Sequence, residues 1–239
     1  NQFYVRDYGP GLSHAQVMKL YTTYFDSTKS ESNDFIGGLG LGSKSPFSYT
    51  DSFTVVSIHN GERRLYSAYT GEQGIPKIVQ LGEATKTSEP SGLQVGFPVK
   101  PSDYNAFGEE AQRILPWFTP TPTVLGTTIN TTLKPTKKVG PLSVYSNIPV
   151  WSDGYGHANT FIKMGHVLYP MDWSFAGLDD TDDPLLNLLQ HHRSTYVFEA
   201  PIGSIEVSAS REGLQYDKNS VQSIKELLTK MGTEVITEI

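Results

Sequence analysis

Asp7-Tyr-Gly-Pro-Gly11 and Ile36-Gly-Gly-Leu-Gly-Leu-Gly-Ser-Lys-Ser-Pro46 are the stretches of this 239-residue chain whose residue types can do chemistry together. An ionised carboxylate only accepts hydrogen bonds, so Asp7 can receive the exocyclic amine of adenine and repels the carbonyl of guanine. Gly9 and Gly11 leave room for a flat base beside the backbone. Gly37, Gly38, Gly40 and Gly42 lead into a short helix expected from Ser45-Pro46. Such a turn presents unpaired N–H groups and the positive end of a helix dipole to an anion. Ser43 and Ser45 can donate hydrogen bonds there, and Lys44 can add charge. The pair of segments therefore predicts a two-part nucleotide site, with the base held by a buried carboxylate and the phosphates wrapped by main-chain amides. Either segment alone is equally compatible with an ordinary turn.

Two other phosphate motifs fail on spacing. A P-loop needs Gly-Lys-Ser/Thr, and Ser43 separates Gly42 from Lys44. A Rossmann fingerprint needs G-x-G-x-x-G directly after a strand, and here G-x-G-x-G follows a polar stretch.

The elements that must position these residues can be read from pattern. Residues 2–6 alternate as a strand running into the Asp7 turn. Ser13 is a candidate N-cap for a helix with Val17, Leu20 and Tyr21 on one face. Residues 22–35 are polar and without period, which predicts a loop. Residues 52–58 and 63–69 flank Asn60-Gly61, the strongest two-residue hairpin signal. Further strands are expected at 76–82 and 93–99, and a helix over 103–116 capped by Asp103. The Pro/Thr-rich stretch 117–150 reads as a boundary. A second α/β unit is expected from strands at 159–169, 195–199 and 203–209, a short helix at 185–190 and a final helix near 220–231.

Composition bounds the classes. Hydrophobic residues make up 37%, with 22 glycines besides, so a packed core is expected. The net charge of −6 gives no global case for nucleic acid or an anionic membrane surface. Lys134, Lys137 and Lys138 form one local basic turn. With no cysteine, disulfides, thiolate metal sites and a cysteine nucleophile are excluded. No apolar run reaches the length of a membrane span. His191-His192 diverge on a helix and read as a polar helix end, not a metal pair. Asp179, Asp180, Asp182 and Asp183 lack EF-hand spacing and suit helix capping. Trp117, Trp151 and Trp173 are expected to pack.

The same segments resemble the GHKL ATPases (gyrase, heat-shock-90 chaperones, histidine kinases and MutL). Asp7-x-Gly9-x-Gly11 is similar to their adenine box and Gly38-x-Gly40-x-Gly42 to their second glycine box, which places the ATP lid at 22–36. Ser91-Gly92-Leu93-Gln94-Val95 resembles the final Gly-Thr strand, with Leu93 in place of Thr. More narrowly, Tyr21-Thr-Thr-Tyr-Phe-Asp-Ser-Thr-Lys-Ser30 leading to Ile36 through Phe47 resembles the rIIA-type proteins of tailed bacteriophages. Pro201-Ile-Gly-Ser204 and Ser210-Arg-Glu-Gly-Leu-Gln-Tyr-Asp217 fit that family too. Ser210-Arg211-Glu212-x-Leu214-Gln215 also resembles the middle-domain loop of heat-shock-90 chaperones, which implies that Arg211 senses the γ-phosphate with Gln215 beside it.

The resemblance implies a Bergerat-type, histidine-kinase-like α/β sandwich over 1–118, truncated at its N-terminus. A bridge at 119–140 and an α/β transducer lobe at 141–239 would follow. It implies ATP with Mg, the Mg-binding Asn and general-base Glu being expected upstream of Asn1, so whether this chain hydrolyses ATP stays open. The implied role is an ATP-driven switch in lysis control or host-membrane protection. It would act in the host cytoplasm or at the periphery of the inner membrane, with a homodimer and a phage or host protein as partners. The alternative is a non-enzymatic scaffold or virion-associated interaction protein that kept the fold.

Overall fold

The computed structural model describes residues 2–22, 42–146, 159–178, 189, 194–208 and 213–238, with the side chains of Gln73 and 230–238 left aside. The chain divides into two compact units, Asn1–Asn105 and Ala106–Ile239. The boundary expected from sequence lay at 118, and the expected bridge 119–140 takes in the strand at 137–139 and ends in the turn after it.

In the first unit, β1 (Gln2–Arg6), β2 (Ser52–His59), β3 (Glu62–Thr70), β4 (Pro76–Gln80), β5 (Thr85–Lys86) and β6 (Gly92–Pro98) form one antiparallel sheet. Its order is β1-β6-β2-β3-β4, with β5 against β3. The β2–β3 hairpin turns at Asn60 (φ 52°) and Gly61 (φ 73°). Two positive φ values define the type I′ turn whose twist matches the strands, which is why Asn-Gly is needed. Alternation puts Phe53, Val55 and Ser57 on one face, paired across to Ala68, Tyr66 and Arg64.

That face is covered by α1 (His14–Thr22). Ser13 Oγ accepts the Gln16 N–H (3.3 Å) while Gln16 Oε1 accepts the Ser13 N–H (2.8 Å). This reciprocal capping box satisfies two donors that a helix start leaves open. Val17 and Tyr21, four residues apart, are the buried stripe, and Tyr21 packs its ring on Phe53 with centroids 5.9 Å apart. A 3-10 helix over Gly42–Ser48 packs beside it, Phe47 meeting Phe53 edge-on at 4.8 Å. Pro46 lies inside that 3-10 helix, which begins three residues before Ser45.

At the far end of this unit, Asp103 does not cap a helix through its side chain. A 3-10 turn (Pro101–Asp103) precedes α2 (Tyr104–Ile114), and the Asp103 carboxylate accepts the hydroxyls of Tyr49 (2.6 Å) and Ser102 (2.8 Å). The Tyr49 hydroxyl holds that carboxyl below its usual range, and the same bond raises the phenol.

The second unit is built on β7 (Lys137–Val139), β8 (Leu142–Tyr145), β9 (Thr160–Met164), β10 (Val167–Pro170) and β11 (Thr195–Ala200). The order is β10-β9-β11-β8-β7, antiparallel except for the parallel pair β9–β11. Ile162, Met164, Tyr196 and Phe198 belong to a core with Ile224 and Leu228 of α3 (Lys218–Glu238). Phe161 and Val197, alternating with them, join Trp117, Tyr145 and Leu168 in a second cluster. Both faces are thus buried, and Trp117 packs edge-on against Tyr145 (5.3 Å), as expected of it. Trp151, the His191-His192 pair, the Asp179–Asp183 cluster and most of 185–190 lie outside the described residues, although Leu189 is fully buried.

Over the described part of the expected strand at 203–209, residues 203–208, no strand forms. After β11 the chain turns through Gly203 (φ 81°), and residues 207 and 214 share one isolated antiparallel bridge. Turn hydrogen bonds win there, with both Ser204 N and Ser204 Oγ donating to the Pro201 carbonyl. Asp217 then caps α3, its Oδ1 accepting the Ser220 N–H at 2.7 Å.

That N–H bond, joined by the Ser220 hydroxyl, holds the Asp217 carboxyl below its ordinary value. The folded state therefore prefers the charged cap. Its contribution is present above the ordinary carboxylate range and disappears as pH falls through the lowered folded value. Asp217→Asn keeps an acceptor without a titration. Thermal melts between neutral and strongly acid pH should show a shallower acid loss for the variant than for the wild type.

Candidate functional site

Asp7 follows directly on β1 and extends its pairing with β6. Its N–H donates to the Leu93 carbonyl (2.9 Å), and its Oδ1 accepts the N–H groups of Gly9 (2.8 Å) and Leu93 (3.3 Å). The short bond to Gly9, two residues on, is an Asx turn, which explains an aspartate at the head of Asp-Tyr-Gly-Pro-Gly. Among the described residues Oδ2 takes no hydrogen bond. The carboxylate is exposed, where the sequence reading expected it buried. It nonetheless lies within electrostatic reach of α1. Burial, and after it the Asp7 charge, push the Tyr21 phenol above its ordinary value.

The glycines of this turn have separate reasons. Gly11 sits at φ +68°, and a Cβ there would lie 2.0 Å from the Ile58 carbonyl oxygen. Gly92, at φ +151°, would place a Cβ 2.0 Å from the Asp7 carbonyl oxygen. Each crossing is backbone against backbone, which only glycine permits. Gly9 is milder, since its Cβ would meet Asp7 Oδ1 at 3.1 Å.

Of the expected phosphate-binding residues, Gly37, Gly38 and Gly40 lie outside the described residues, as does the expected lid from residue 23. Gly42, Ser43, Lys44 and Ser45 form the start of the 3-10 helix. Ser45 Oγ donates to the Gly42 carbonyl (2.9 Å), closing that first turn. Lys44 is buried, and its ammonium donates to the Leu20 carbonyl (2.7 Å) and to Ser43 Oγ (3.3 Å). A cation on the last carbonyls of α1 complements the helix dipole. Lys44 therefore ties the 3-10 helix to the end of α1, and through Tyr21 the same helix reaches the neighbourhood of Asp7. Within this unit, Asp7 and the 42–45 turn are served by one helix on one face of one sheet.

In the second unit, Arg211 lies outside the described residues. Gln215 is exposed and its N–H donates to the Glu206 carbonyl (2.8 Å). The Ser208 N–H donates to the Gly213 carbonyl (2.9 Å). Among the described residues no cluster of three His, Asp or Glu is placed to hold a metal ion, and no residue is assigned to Mg. No described helix is long and apolar enough to cross a membrane.

Sequence reasoning missed two residues that hold the Asp7 turn. Ser57, almost fully buried in β2, accepts the Leu12 N–H (2.9 Å) and donates to the Leu12 carbonyl (2.7 Å) through one hydroxyl. His59 Nδ1 donates to the Pro10 carbonyl at 2.9 Å. A signal existed, because Ser57 interrupts the inward set Phe53, Val55, and a polar residue there calls for a partner.

An antiparallel six-stranded sheet with a capped helix on one face and a mixed-sheet unit after it make an α+β architecture that matches the GHKL ATPase fold of solved structures. Among solved structures, the ATPase region of Saccharomyces cerevisiae topoisomerase II superposes with a TM-score of 0.51 at 12% identity, over 99% of this chain and 77% of that one. The same region bound to ICRF-187 (dexrazoxane) gives a TM-score of 0.51 at 12% identity, over 98% and 77%. No family model and no curated protein sequence matches the chain.

Proposed function

We propose that this chain binds ATP, with the purine at Asp7, Gly9 and Gly11 and the phosphates at the 37–45 turn. The observation that carries the reading is the Asp7 carboxylate. Main-chain N–H groups fix Oδ1 and leave Oδ2 directed by that anchorage, a rigid acceptor for an exocyclic amine. The ATPase fold of the structural neighbours supports it. Bound Mg would neutralise charge on the phosphates. This chain's residues would orient the base and enclose the phosphate end.

The finer proposal is a bacteriophage rIIA-like, ATP-driven conformational protein acting in lysis control or host-membrane protection, in the host cytoplasm or against the inner membrane. Its support is the run from Tyr21 to Phe47 with the later segments at 201–204 and 210–217. A homodimer and a phage or host protein are its proposed partners. Arg211 is the proposed γ-phosphate sensor, with Gln215 its neighbour, because a guanidinium stays charged and offers forked donors to phosphate oxygens.

Titration with a fluorescent ATP analogue, followed by phosphate release from the intact gene product, tests both levels. Saturable binding is expected. Arg211→Ala should retain ATP affinity and slow phosphate release by about a hundredfold or more. Binding without release in the wild type would favour a scaffold that kept the fold, and absence of binding would remove the nucleotide reading.

A further inference from the structure

We infer that Ser57 and His59 are positioning residues for base recognition, holding the Asp7–Leu12 turn against β2 so that the Asp7 carboxylate meets the purine edge. The inference rests on the ATP reading above and assigns that reading two residues outside the glycine boxes. On one side the turn is fixed by β6, through the paired bonds between Asp7 and Leu93. On the other it is fixed by three consecutive residues of β2. Ser57 takes both main-chain groups of Leu12, the Ile58 carbonyl fits against Gly11, and His59 takes the Pro10 carbonyl.

Each bond has one chemical solution. A carbonyl only accepts, so His59 carries its proton on Nδ1. A hydroxyl can accept from an N–H and donate to a C=O at once, which no apolar residue at 57 can do. Without these bonds, Pro10 and Leu12 lose their ties to β2, and Asp7 is held from the β6 side alone. The carboxylate then samples a wider range of positions, and a hydrogen bond depends steeply on distance and angle. The cost falls on the base end, while the phosphate end, built on α1 and the Gly42–Ser48 helix, keeps its own supports.

The test compares ATP, GTP and inorganic tripolyphosphate as competitors of a fluorescent ATP analogue on the intact chain. Ser57→Ala and His59→Ala should each weaken ATP about tenfold, narrow the preference for ATP over GTP, and leave tripolyphosphate within about twofold. His59→Gln, which restores a side-chain donor, should recover ATP affinity to within about threefold. Should Ser57→Ala fail to fold by circular dichroism, the His59 pair, at the solvent end of β2, carries the test alone. Unchanged ATP affinity and selectivity in variants of a wild type that binds ATP would overturn this inference and leave the ATP reading standing. Equal losses for ATP and tripolyphosphate would overturn it too, as a general structural effect. A wild type that binds none of the three takes both readings down.

Discussion

Asp7→Asn is expected to weaken ATP binding by between about tenfold and about a hundredfold, the range for losing a hydrogen bond to a charged acceptor. The amide oxygen can replace Oδ1 in accepting the Gly9 and Leu93 N–H groups, so the turn should keep its shape. The amide nitrogen then stands where Oδ2 stood and turns a donor toward the amine of adenine. Two donors facing each other cost more than a missing contact, because both lose water and neither finds a partner. Guanine nucleotides, which offer a carbonyl at that edge, should lose less or gain. Calorimetric titration of ATP and GTP against both proteins reads the effect, and an unchanged ATP affinity with an unchanged melting profile would remove Asp7 from the base site.

Gly92→Ala and Gly11→Ala should be the most destabilising single-methyl additions in the first unit, each costing about 4 kcal/mol or more, at the upper end for point substitutions. In both, the added Cβ would sit 2.0 Å from a main-chain carbonyl oxygen of a neighbouring segment. Neither oxygen can rotate away as a side chain would, so the β1–β6 crossing or the Gly11–β2 crossing has to open. A midpoint loss of roughly 15 °C or more follows for a unit of this size. Gly82→Ala is the matched control. It shares the left-handed backbone (φ +72°) but meets nothing within 4 Å, so only the conformational cost of about 1 kcal/mol applies. Scanning calorimetry of the three variants separates the two causes, and comparable losses at Gly82 and Gly92 would refute the crowding argument.

What could be read beforehand was what local chemistry writes into adjacent residues. Asn60-Gly61 announces a turn with two positive φ values, Ser13 announces a helix start, and Asp7-Tyr-Gly-Pro-Gly announces a turn. Each is settled within a few positions of chain. The pairing of β1 with β6, separated by most of the first unit, leaves no such trace, yet it brings Leu93 beside Asp7 and jams Gly92 against it. Lys44 shows the same limit. Its charge suggested a phosphate ligand, whereas the fold brings the Leu20 carbonyl within 2.7 Å of its ammonium. The 203–209 stretch failed for the opposite reason. Its apolar residues have a strand's spacing, but Pro201, Gly203 and Ser204 supply turn bonds that end the ladder first.

The hold of Lys44 on Leu20 has a bearing on how this architecture tolerates change. The main chain departs from α1 after Thr22 and re-enters at Gly42, and one buried ammonium clasps the two gateposts together. Removing the ammonium while keeping the apolar stem, as in Lys44→Met, should therefore uncouple the end of α1 from the start of the 3-10 helix, at a cost of about 1.5–3 kcal/mol for a lost hydrogen bond to a charged group.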